Sequence, residues 1–138
     1  MIGVIDASLA LSWLFEDEQT VQGMRLLDQV AHSAALVPSL WRLETANALQ
    51  TALKRRRCNS AFRDLALLRL GELAIEVDFE TDAHAWTTTL HLSERHNITV
   101  YDAAYLELAL RRGVPLATRD QDLAKAAVDS GVTVLPTS

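Results

Sequence analysis

The stretch ITVYDAAYLELALRRGVPLATRDQDL, residues 98–123, decides the fold. Thr99-Val100 reads as a very short β-branched strand, and Asp102 to Arg112 as a helix stopped by Gly113. Leu116-Ala117 reads as the next strand, and Gln121 to Asp129 as the next helix. Strand and helix alternate at the spacing of a βαβ unit, which predicts a parallel sheet. Two acids, Asp102 and Asp120, fall where a strand hands over to a helix.

Outward from this stretch the same rhythm continues. Residues 2–5 form a short apolar strand pattern closed by Asp6, followed by a helix from Ser8 to Phe15 and an exposed acidic turn, EDEQ. Thr20 to Ser33 has apolar residues at helical spacing. Leu36-Val37 reads as a strand stopped by Pro38, and Ser39 as the cap of a helix running to about Arg57. Asn59-Ser60 begins a helix through about Leu70, with Gly71 as its stop. Ala74 to Val77 is a strand pattern, Thr81 to Arg95 a helix broken at Asn97, and Val132 to Leu135 a last strand. No linker or repeat interrupts the order, so residues 1–138 are expected to form a single domain. The expected fold class is α/β, a central parallel sheet of about five strands with helices on both faces.

In such a sheet the carboxyl ends of all strands share one rim, where ligands bind. Asp6, Glu44, Asp102 and Asp120 would converge there from four distant segments. Unpaired like charges repel by about 4 kcal/mol at 4 Å for an effective dielectric of 20. A hard divalent cation relieves that repulsion, and oxygen-only ligation suits Mg²⁺ or Mn²⁺. Each acid also has a plainer reading. Asp6, Asp102 and Asp120 precede helical patterns and are good N-caps. Glu44 lies inside a helix on a stripe with Asn47 and Thr51, which reads either as a solvated face or as a carboxylate over the rim supported by Asn47. Ser8 and Thr118, two positions from Asp6 and Asp120, are supporting hydroxyls or ordinary turn residues.

Composition narrows the classes. The chain has a formal net charge of −5, with 49% apolar residues and one cysteine, Cys58. One cysteine excludes an internal disulfide and a multi-cysteine zinc site. No apolar run reaches the ~20 residues of a membrane span, and the expected location is cytoplasmic. Arg and Lys gather at Lys54-Arg55-Arg56-Arg57 and Arg111-Arg112, at helix ends where the dipole favours them. Arg119, beside Asp120, is the cation best placed to meet a phosphate chain. Trp13, Trp41 and Trp86 read as core or interface anchors. The helix from Ser39 to Arg57 is apolar around much of its circumference, which predicts contact on more than one side. His32, His84, His91 and His96 have no metal-ligand spacing, and no GxSxG, Walker or GxGxxG motif is present.

VIDASLALSWLF, PSLWRLETANAL, ITVYDAAYLELALRRGVPLATRDQDL and VTVLP follow one another in the order seen in PIN-domain ribonucleases, and the chain resembles that family over essentially its whole length. Within the family it is most similar to the VapC toxins of bacterial VapBC toxin–antitoxin pairs. The resemblance implies a PIN-like three-layer fold with metal-binding and catalytic acids at Asp6, Glu44, Asp102 and Asp120, and supporting positions at Ser8, Asn47 and Thr118. It implies Mg²⁺- or Mn²⁺-dependent cleavage of RNA, often tRNA or ribosomal RNA, by metal-activated water. It further implies a homodimer inhibited by a small VapB-like antitoxin. Position 7 is Ala where many relatives have Thr. Two other classes stay open on the residues alone. One is a metal-dependent phosphatase or phospho-acceptor domain, the other a non-catalytic binding module whose acids are caps.

Overall fold

The computed structural model describes residues 1–138. Its strands are β1 (Val4–Ile5), β2 (Ala35–Pro38), β3 (Ile75–Asp78) and β4 (Leu116–Ala117). All pair in parallel, in the order β3-β2-β1-β4. The helices are α1 (Ala7–Leu14), α2 (Val21–His32), α3 (Trp41–Lys54), α4 (Ser60–Gly71), α5 (Thr81–His84), α6 (Thr88–His96), α7 (Val100–Arg112) and α8 (Gln121–Asp129). A single 3-10 turn, Glu16–Glu18, follows α1.

The strand order reverses direction at β1. From β1 the chain steps to β2 and then β3, and it returns to the other side of β1 as β4. Crossovers between parallel strands are right-handed, so α1–α4 cover one face and α5–α7 the other. The point of reversal lies between β1 and β4, and a crevice opens there at the carboxyl ends of the strands. Val4 pairs with Leu116 and Ile5 with Ala117, so the next residues, Asp6 and Thr118, emerge side by side at that crevice. Gly3 permits the close approach of the two strands. It sits at φ 137°, and a Cβ there would stand 2.4 Å from the Pro115 carbonyl oxygen.

The main core joins strand residues such as Ile5, Leu36 and Leu116 to Leu9 of α1, Val30 of α2, Leu106 and Leu108 of α7 and Leu123 of α8. In α7 every residue from Ala103 to Ala109 is buried, which makes it the central helix. A second cluster, Leu11, Phe15, Leu49, Ala52 and Ala66, fastens α1 to the α3–α4 pair. There the Arg57 guanidinium lies 3.9 Å from the Phe15 ring centroid and pairs with Asp17 and Glu18. It therefore joins elements rather than merely ending a helix.

Several elements differ from the sequence expectation. Thr99-Val100 is not a strand: Thr99 caps α7, its hydroxyl accepting the Asp102 N–H at 3.0 Å, and Val100 begins the helix. Two β-branched residues satisfy a helix start as well as a strand once the hydroxyl finds an amide. The last strand is reduced to one parallel bridge, Leu116 to Val134, so the sheet proper has four strands. The helix expected from Thr81 to Arg95 is broken at Ala85–Thr87 into α5 and α6. Ser39 does not cap α3. Leu40 occupies that position without a side-chain cap, and the Ser39 N–H goes to the Thr81 hydroxyl instead. The all-round burial expected of α3 is partial, since Trp41, Thr45, Leu49 and Ala52 are buried but Leu43 is 75% exposed. Trp13 and Trp41 are core residues, whereas Trp86 is 91% exposed.

Candidate active site

Four helices start at the crevice, and each brings one of the four acids in its first turn or at its cap. Asp6 caps α1, its Oδ1 accepting the Leu9 N–H at 2.9 Å. Asp120 caps α8 by accepting the Leu123 N–H at 3.0 Å. Glu44 lies in the first turn of α3 and Asp102 in the first turn of α7. Negative charge is favoured at a helix N-terminus, by about 0.3–1 kcal/mol each. Cap and rim are thus the same place for Asp6 and Asp120. Asp102 is not a cap, because Thr99 holds that position.

Asp6 is buried and sits at the centre of a hydroxyl network. The Ser8 hydroxyl donates to it at 2.8 Å, and the Thr118 hydroxyl donates to its other oxygen. The Ser8 oxygen also accepts the Arg119 N–H at 3.0 Å, and the Thr118 oxygen accepts the Asp120 N–H at 3.0 Å. Through these bonds Ser8 and Thr118 tie the end of β1 to the turn after β4. Burial pushes the Asp6 carboxyl up to about 6, against these hydrogen bonds, and the Asp102 charge adds to the rise.

Glu44 and Asp102 are half-buried. Burial raises the Glu44 carboxyl above the ordinary range, and the charges of Asp102 and Asp6 raise it further. Burial likewise raises Asp102, with Asp120 and then Asp122 adding. Asp102 thus acts on both Asp6 and Glu44, Asp6 on Glu44, and Asp120 on Asp102. No three of them close into a ready-made ligand cage.

Asn47 is exposed and makes no hydrogen bond to Glu44; the partner of Glu44 is Tyr105, whose hydroxyl donates to Oε1 at 2.5 Å. Tyr105 was hidden in the apolar pattern of YLELAL, although its i+3 spacing from Asp102 places it on the same helix face. The Arg119 side chain is not free in solvent, since Nη1 donates to the Glu18 carbonyl at 2.7 Å. A further acid, Asp78, closes β3 as Asp6 closes β1, and it pairs with Pro38 in the sheet register. It is not part of the acid cluster, because Arg111 neutralises it at 2.7 Å.

The PIN domain family model matches residues 3–129. The chain belongs to the PIN domain family. Ribonuclease VapC3 of Pyrobaculum aerophilum is 30% identical to this PIN domain over 122 residues, 88% of this chain and 92% of that one. Among solved structures, PAE2754 from Pyrobaculum aerophilum superposes with a TM-score of 0.69 at 21% identity, covering 96% of this chain and 89% of its own. VapBC2 from Rickettsia felis, bound to a DNA fragment from its promoter, superposes with a TM-score of 0.66 at 11% identity, covering 97% of each chain. Such identities speak to the fold, which is the PIN-like α/β sheet expected from the sequence.

Proposed function

We propose that this PIN domain is a Mg²⁺- or Mn²⁺-dependent endoribonuclease and the toxin half of a type II toxin–antitoxin pair. What supports the reading is that Asp6, Glu44 and Asp102 stand at the cap or in the first turn of α1, α3 and α7, each carboxyl raised by burial and by the charge of another acid. The likeness to Ribonuclease VapC3 supplies the reaction class. Asp6, Glu44, Asp102 and Asp120 would hold the ion. When bound, the metal offsets the carboxylate repulsion and makes hydroxide accessible near neutral pH for attack on phosphorus.

The chain's own groups then have defined tasks. Ser8 acts as a positioning group, its hydroxyl donating to Asp6 and its oxygen accepting the Arg119 N–H. Ser8 and Thr118 orient Asp6 so that its charge faces the crevice. Arg119 uses one guanidinium nitrogen on Glu18 and has its others for an RNA phosphate. The substrate class is tRNA or ribosomal RNA. A VapB-like antitoxin and a second copy of the chain are the expected partners, and exposed Leu43, Phe79 and Trp86 give them apolar surface.

The test is cleavage of total RNA with Mg²⁺ and with a chelator, for wild type and Asp6→Asn. Expected are discrete fragments only with Mg²⁺ and a loss of about 100-fold or more in the variant. Equal cleavage by the two proteins would sink the assignment.

A further inference from the structure

We propose that Tyr105 is a positioning residue that presets the Glu44 carboxylate for a divalent ion; this rests on the metal-binding reading of the four acids. Two of those acids cap helices, where a local amide helps to orient each. Asp6 accepts from Leu9, Ser8 and Thr118, and Asp120 accepts from Leu123. Asp102 is carried at the start of the buried helix α7. Glu44 has no such local aid. Its only side-chain partner is Tyr105, which lies across the crevice on α7.

Tyr105 is 1% exposed, and its ring is packed in the main core. A phenylalanine would fill the same space. The hydroxyl has no partner other than Glu44 Oε1, at 2.5 Å. Glutamate is among the most rotamer-rich side chains, so an unheld Glu44 would sample solvent-facing rotamers. One fixed donor on Oε1 leaves Oε2 and the remaining lone pairs for an ion or its water. Tyr105 is also one turn along α7 from Asp102, so a single rigid helix carries one acid and aims a second. Partners of this kind commonly change metal affinity by about 10–100-fold.

The experiment measures Mn²⁺ affinity by titration, together with metal-free thermal melting, for wild type, Tyr105→Phe, Glu44→Gln and the double variant. Expected are near-wild-type folding of Tyr105→Phe, Mn²⁺ binding weakened about tenfold, and no further loss when the change is added to Glu44→Gln. A hydroxyl that only tied α3 to α7 would lower the melting temperature and leave Mn²⁺ affinity alone, and that result overturns the proposal. So does a double variant in which the two losses multiply. If Glu44→Gln also binds Mn²⁺ as wild type does, or wild type binds none, the metal reading fails first and this inference with it. Should Tyr105→Phe not fold, wild type labelled on its two tyrosines answers the question by NMR. The Tyr105 ring signals are expected to move on Mg²⁺ titration in wild type and stay still in Glu44→Gln. Signals that stay still in wild type overturn the proposal.

Discussion

At the scale of single residues, Asp6 ties stability to the proposed function. Its carboxyl titrates near 6 in the fold and near 3.8 when unfolded, because burial opposes its charge. Between those values the metal-free native state binds more protons than the unfolded chain. Its contribution to stability is present below pH 4 and is lost as pH rises through 6. Metal-free melting curves across pH 4–7 should therefore show Asp6→Asn gaining on wild type as pH rises, since asparagine is an equally good cap without the charge. Mg²⁺ should raise the wild-type melting temperature more at pH 7.5 than at pH 5, where protons compete for the same carboxyl. A Mg²⁺ effect independent of pH would remove Asp6 from the ion site. The acids were legible in the sequence because each one interrupts an apolar pattern at a strand end or helix start. Tyr105 was not, because a core aromatic and a core aromatic with a working hydroxyl look the same along the chain.

At the scale of elements, Arg111 shows what a local reading leaves out. It reads as an end-of-helix cation, yet its guanidinium bonds Glu107 one turn back on α7, and Asp78 and Glu80 at the end of β3. The side chains of Asp78 and Glu107 are each only 4% exposed. Arg111→Ala leaves two buried carboxylates unpaired, which should cost about 3–5 kcal/mol and lower the melting temperature by roughly 10 °C. A change within 2–3 °C, on the order of 1 kcal/mol or less, would mean that water screens the cluster. The helix stops at Asn97 and Gly113 were readable because both residues take the left-handed conformation that ends helices, at φ 52° and 63°. The start of α7 was not, since Thr99 satisfies a strand pattern until the Asp102 amide is seen to need its hydroxyl.

At the scale of the whole molecule, the reversal of strand order fixes where the acids meet. The alternation of strands and helices foretold the layers, but not which strands would be neighbours. The order β3-β2-β1-β4 depends on long-range pairing that no window of sequence displays. The same plan separates charge. α3 begins at the acidic crevice and runs 14 residues, about 21 Å, to Lys54. Lys54, Arg55 and Arg56 are exposed there and make no ion pair. Despite a net charge of −5, the protein should be retained on heparin at low salt, and replacing those three cations with glutamine should abolish retention. Retention unchanged in the triple variant would mean that the cationic end lies elsewhere. A body with opposite poles turns as it nears a polyanion, so its basic end makes first touch and the acid-lined end faces away. Productive encounter then requires tumbling, and divalent counterions, by capping the acidic pole, would change which end arrives first as well as what happens after arrival.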